Sequence, residues 1–335
     1  MDDTRGVDDG GRNDDNGRSD GDGGRNDDNG RSDGDGGRND DNGRSDGDDG
    51  RGRDGQVARL RGRGVGSPWA FPVVYLGWTY AWWALVVASG ESVWSFPNVA
   101  FFLVGGLSPV IAGLGLTWLA SGRTGLRDLW RRLTDVRRVR PRWWAAALLV
   151  YPALNLVVAG VGLVTGVTDA PLEVAGLDRL LDPIGLFGLL AFSLLLPLPE
   201  EVGLRGYWLD RLQARWTALV ASLVLGVTWA AWHVPLLFME GYYSTTTFQP
   251  EPVPFLGSIV FGAVLYTWLY NNTGRSLLVV VAFHFSGNLA GELVGLTPAL
   301  YGYGFAATAV AALFVTVWWG GGTLRRGEEP VSDPA

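Results

Sequence analysis

From residue 68 onward the chain alternates long apolar stretches with short polar ones. Eight of the stretches are long enough to cross roughly 30 Å of hydrocarbon. They lie near 69–89, 99–120, 143–166, 184–208, 217–238, 255–270, 277–297 and 304–320. The pattern predicts an all-α membrane protein with about eight transmembrane helices over residues 67–321, followed by a short polar tail at 322–335. Residues before this domain are the opposite material. Between 11 and 49 a 13-residue unit is written three times, GRNDDNGRSDGDG twice and then GRNDDNGRSDGDD, with no apolar position to stack. Such a segment cannot bury enough surface to offset its chain entropy, so residues 1–66 are expected to form a disordered acidic tail. Its Asp spacing fits neither the EF-hand loop nor the nonapeptide β-roll, and no apolar h-region of a signal peptide lies in the first 30 residues.

Charge sharpens this division. The first 50 residues hold 17 Asp and 7 Arg, while the remaining 285 carry 17 acidic residues and 20 Arg. The protein has no cysteine, which excludes disulfides, a thiol nucleophile and thiolate-bound metal. With the acidic tail placed in the cytoplasm, the inner segments carry 18 Arg and the outer loops only Arg179. That asymmetry predicts a multi-pass protein of the cell membrane with both termini cytoplasmic. The lipid bilayer is then a partner, and no nucleic acid is expected. Between spans two and three, Leu126, Leu129, Trp130 and Leu133 follow helical spacing with Arg127, Arg131 and Arg132 between them, which predicts a short basic helix on the inner membrane surface. The outer loop 240–254, with Tyr242, Tyr243 and Phe248, reads as an interfacial flap, and the sequon at Asn271 falls on the inner side.

An ionisable side chain inside a span is costly unless it is paired or faces water, so such residues are functional candidates. Glu200, Glu201 and Arg205 interrupt span four, and the only two histidines are His233 in span five and His284 in span seven. Asn288 follows His284 by four residues on the same helix face. Spans four and five form an antiparallel hairpin whose turn should lie near Arg215-Trp216. Glu200 lies 15 to 16 residues before that turn and His233 17 to 18 after it, which puts the two at similar depth. Three helices thus bring a carboxylate, an imidazole, and an imidazole with an amide to a common level. Glu201 and Arg205 are spaced for an intrahelical ion pair, whereas Glu200 points about 100° away with no partner on its own helix. An unpaired carboxylate in low dielectric suits a general base. Pro197 and Pro199 just before it loosen the helix. A structural Glu–Arg pair and a purely interhelical histidine hydrogen bond remain the plain readings of these residues taken singly.

Taken together the residues resemble a known family. Glu200-Glu201-Val-Gly-Leu-Arg205 resembles an EExxxR signature. Trp229 followed by His233 is similar to FxxxH, with Trp in place of Phe, and His284-Phe-Ser-Gly-Asn288 to HxxxN. In this order on successive spans they resemble the CAAX prenyl protease and bacteriocin-processing (CPBP) family of intramembrane proteases, over a core of about 180–295. The resemblance implies hydrolysis of a peptide bond of a membrane-embedded or lipidated protein or peptide, including prenylated CAAX termini, by a glutamate-dependent mechanism with no obligatory metal. Catalytic roles then fall to Glu200 and His233, which hold and deprotonate a water, and to His284 and Asn288 as oxyanion donors. Glu201 and Arg205 brace the helix. Trp229 is expected to alter the packing of the pocket and to leave its chemical groups untouched. Zinc is the alternative cofactor, since Glu200, His233 and His284 would make a His2Glu set, although no H-E-x-x-H motif is present. Two other classes compete. A proton- or ion-coupled transporter would show repeat symmetry, and spans one to three contain no second Glu-Glu or His pattern. A non-catalytic scaffold or immunity factor would lack some of the polar groups that are present here.

Overall fold

A computed structural model describes residues 67–173, 180–243 and 250–326. The tail expected over 1–66, Arg179, Phe248 and the last nine residues lie outside the described residues. The described chain is helical, in the order α1 (Ala70–Ser89), α2 (Asn98–Gly106), α3 (Ser108–Thr134), α4 (Pro141–Val164), α5 (Pro183–Leu195), α6 (Pro197–Gly203), α7 (Leu209–Gln213), α8 (Ala218–His233), α9 (Pro252–Asn272), α10 (Leu277–Leu293) and α11 (Tyr301–Trp319). A two-residue antiparallel pairing of β1 (Leu172–Glu173) with β2 (Gly295–Leu296) ties the α4–α5 connection to the end of α10. Among the described residues, seven helical segments are long and apolar enough to cross a membrane. Helix α10, the seventh expected span, has the apolar composition but stops at 17 residues, some 25 Å of rise. Large apolar side chains such as Phe187, Val310 and Val317 stand exposed on the outer surface, the arrangement a lipid-facing bundle requires.

Local chemistry sets the boundaries. Asp182 caps α5 through Ile184 and Gly185, Thr217 caps α8 through Val220, and Ser276 caps α10 through Val279. The turn before α8 falls at Ala214–Thr217, where the hairpin was expected. Two spans differ from the expected unbroken helices. Span two divides between α2 and α3, where Pro109 enters the first turn of the new helix and supplies no amide hydrogen. Gly122, at φ 57°, then kinks α3, so the basic helix predicted around 126–133 is its last three turns. That helix does not lie with all its arginines outward. Arg132 is buried and Trp130 is exposed, because Asp210 of α7 offers Arg132 a partner inside the bundle. Span four is divided too: α5 gives way to α6 at Leu196, just before Pro197, and Leu204–Trp208 winds as a π-helical turn.

The loops sort to the two ends of the bundle. At one end Arg132 of α3, Asp210 of α7 and Arg275 of the α9–α10 turn form ion pairs, Asn271 exchanges hydrogen bonds with Gln213, and Ala218 N–H donates to Gly322. The start of the expected C-terminal tail is therefore packed against the bundle. The Asn272 side chain donates to the Leu324 and Trp268 carbonyls, so the sequon is engaged in packing. At the other end Val93 N–H donates to Glu240, and β1 pairs with β2. In the middle, α3 and α6 touch backbone to backbone: a Cβ on Gly203 would fall 2.3 Å from the Pro109 carbonyl oxygen. Only glycine permits that approach, and it seats the helix carrying Glu200 and Glu201 against α3.

Candidate active site

The polar residues of spans four, five and seven meet in the bundle interior. Glu200 and Glu201 lie in α6, Arg205 in the π-turn after it, Trp229 and His233 in α8, and His284 and Asn288 in α10. Winding from α-helix to π-turn between Glu201 and Arg205 keeps the i, i+4 pair intact. Arg205 Nη1 donates to Glu201 Oε1 at 2.9 Å, with both side chains fully buried. The same Oε1 accepts from His284 Nδ1 at 2.9 Å. A carboxylate that takes both bonds can only accept, so the imidazole presents its Nδ1–H to Glu201 and turns Nε2 away from it. Arg205 is clasped between the rings of Trp229 and Tyr266, 4.5 and 4.3 Å from their centroids, which compensates its charge where hydrogen-bond acceptors are missing.

Glu200 takes a different environment from its neighbour. Its Oε2 accepts from Trp229 Nε1 at 2.6 Å, and its other oxygen has no hydrogen-bond partner among the described residues. His233 Nδ1 lies 2.8 Å from the Trp229 carbonyl oxygen, which makes it the protonated nitrogen and leaves Nε2 as a free acceptor. These groups line one chamber of about 460 Å³, together with His284, Asn288 and Glu292. Its walls are apolar and aromatic, among them Trp83, Phe102, Trp232 and Tyr266. Tyr242 and Tyr243 belong to the loop expected as a flap, and both side chains line the chamber. Burial raises both phenols above the ordinary tyrosine value, so they stay neutral O–H groups at any working pH.

Every residue singled out in the sequence is therefore at or beside the chamber. Glu200, Trp229, His233, His284 and Asn288 line it, and Glu201 and Arg205 stand behind them. The expectation for Trp229 requires correction. It does more than pack, because its indole N–H is bonded to the carboxylate of Glu200. Residue spacing could not reveal that contact, which joins two helices. Tyr266 was missed as well. It carries no charge and sits in an apolar run, and only its position over Arg205 gives it a role. Gly287, half of the Gly287-x-x-x-Gly291 pattern, packs on Tyr151 of α4 within the bundle. Among the described residues no group of three His, Asp or Glu side chains is placed to hold a metal ion. His233 and His284 each have Nδ1 committed, to the Trp229 carbonyl and to Glu201, and Glu201 is shared with Arg205.

Comparison with known proteins agrees with the motifs. A sequence model of the family described as "type II CAAX prenyl endopeptidase Rce1-like" matches residues 182–290, the stretch from the start of α5 to the end of α10. The chain is also similar to CAAX prenyl protease 2 of Methanococcus maripaludis, 26% identical over 233 residues that cover 68% of this chain and 83% of the relative.

Proposed function

We propose that this chain, similar to type II CAAX prenyl endopeptidases over residues 182–290 and to an archaeal CAAX prenyl protease, is a glutamate-dependent intramembrane endopeptidase of the CAAX protease (CPBP) family, acting on a peptide bond of a membrane-embedded or lipidated protein. The observation that carries the reading is the convergence of Glu200, His233, His284 and Asn288, each with polar atoms unengaged by other described residues, on one buried chamber. Glu200 takes a proton from a water whose other hydrogen is held by His233 Nε2. The resulting hydroxide attacks the scissile carbonyl carbon. His284 in its imidazolium form carries one hydrogen for Glu201 and one for the oxyanion, and the Asn288 amide supplies a second donor. As the tetrahedral intermediate collapses, the C–N bond breaks and Glu200 returns its proton to the leaving amine. Water is the only co-reactant in this sequence, and no step passes through a metal. By the arginine distribution, the end of the bundle that holds Arg132, Arg211 and Arg275 faces the cytoplasm.

A prenylated CAAX terminus is the substrate class that the name of the archaeal relative suggests for this chain. The test compares protein termini in membranes of cells carrying the wild type or Glu200→Gln. Termini present only with the wild type support proteolysis and identify the substrate. Identical termini, together with wild-type protein that moves ions or protons across liposomes, would replace the proposal with a transporter.

A further inference from the structure

Trp229 contacts four polar residues of the site. Its indole N–H donates to Glu200 Oε2 at 2.6 Å, and its backbone carbonyl takes the Nδ1 hydrogen of His233 at 2.8 Å. Its ring face carries the Arg205 guanidinium at 4.5 Å, and its ring lies T-shaped to that of His284, with centroids 5.4 Å apart. The residue is 4% exposed. Arg205 pairs with the neighbouring Glu201 and makes no hydrogen bond to Glu200 among the described residues. Among the described residues the indole is thus the sole hydrogen-bond donor to the Glu200 carboxylate. A carboxylate on a glutamate side chain turns readily about its last torsion, which is broad and two-fold. With Oε2 tied to the indole, Oε1 is the oxygen left for the chamber. The four-residue spacing from Trp229 to His233 then keeps the imidazole on the same face of α8.

We propose that Trp229 is a positioning residue for the reaction: its indole N–H selects which oxygen of Glu200 meets the attacking water, while its carbonyl sets the tautomer of His233. A phenylalanine at this position, as in the FxxxH pattern, would keep the ring beneath Arg205 and the backbone bond to His233 but could not hold the carboxylate. The indole hydrogen bond is therefore a device of this chain, added to the motif. The inference rests on Glu200 acting as the general base.

The experiment uses the full-length chain in detergent and an internally quenched peptide carrying a cut site mapped in wild-type membranes. Trp229→Phe removes one hydrogen bond to a charged group, so kcat falls about tenfold to a hundredfold. KM stays within about twofold and the melting temperature is retained, since the ring and its packing remain. A purely structural role would instead lower the melting temperature and leave kcat per folded molecule intact. A second measurement is independent of turnover. With indole nitrogen-15 labelling, the resonance missing from Trp229→Phe is that of Trp229, and it moves upfield in Glu200→Ala as the charge-assisted bond is lost. An unchanged kcat in Trp229→Phe, or an indole resonance indifferent to Glu200→Ala, overturns the proposal. A wild type that cleaves nothing overturns the proteolytic reading and the catalytic role with it, while the resonance still reports on the contact itself.

Discussion

Two clusters of buried charge come within five residues of each other along the chain, at Arg205 and Asp210, and they are built to opposite ends. Behind the chamber, Glu201 is shared by Arg205 and His284, and His284 turns its other face to the chamber beside Glu200 and His233. Toward the arginine-rich end, Arg132 donates to Gly206 O at 2.8 Å and to Tyr270 at 2.7 Å, and pairs with Asp128 at 2.8 Å and Asp210 at 3.3 Å. Tyr270 in turn donates to Asp210 at 3.0 Å, and Arg275 closes the same carboxylate. None of these second-cluster residues lines the chamber. One cluster ends in groups aimed at an apolar chamber, whereas the other binds α3, α7, α9 and the α9–α10 turn together. Charge in a membrane bundle therefore does not by itself mark a site. The distinguishing property is polar capacity left over at the wall of a cavity.

The sharpest way to break this comparison is to alter one charge in each cluster and read activity and stability separately. Glu200→Gln keeps the shape and removes the proposed base, so on that reading cleavage falls by about a thousandfold or more while the melting temperature holds. Retained turnover would transfer the base to another group. Arg205→Ala leaves Glu201 buried without its cation, at a cost of about 3–5 kcal/mol in stability together with loss of activity. A variant as stable as the wild type would show that the ring clasp of Trp229 and Tyr266 is dispensable.

Asp210→Asn leaves Arg132 and Arg275 around a neutral amide and costs about 2–3 kcal/mol, with kcat per folded molecule unchanged. A kcat loss in that variant, measured beside its denaturation midpoint, would join the two clusters into one functional unit. The smallest effect belongs to Gly203→Ala at the contact between α3 and α6. The added methyl must push against Pro109, at about 1–3 kcal/mol, and tilts the helix that carries Glu200, so activity drops in step with stability. Unchanged activity there would mean that the seat of α6 tolerates more slack than a close backbone contact suggests.

Much of the architecture is legible in the sequence because a membrane imposes a simple rule. Each span must be apolar and long enough, and the caps Asp182, Thr217 and Ser276 stand where the chain enters the apolar stretches. Glu200, His233 and His284 stand out for the same reason, as rare ionisable groups in apolar surroundings. The breaks in spans two and four are harder to read. Pro109 and Pro197 announce that a helix can be interrupted, but whether it bends or divides depends on neighbours that satisfy the freed backbone. Arg132 was misread as a surface residue because its helix has an ordinary basic stripe, and its partner Asp210 lies 78 residues away. Trp229 was read as a packing residue because an indole in an apolar run announces its ring and says nothing of where its N–H points.

The sequence alone determined that this is a helical membrane protein, which spans carry the exceptional polar residues, and which family motifs those residues compose. Its physical basis is local: hydrophobic length, helical spacing and the cost of charge in hydrocarbon are properties of short segments. The tertiary structure decided which oxygen of which glutamate is held and by what. It gave Glu201 to Arg205 and His284 and tied Glu200 to Trp229. It also closed Arg132 over Asp210. Those choices depend on angstrom distances between helices far apart in the chain, and such distances follow only from how residues such as Gly203, with no side chain, allow the helices to pack.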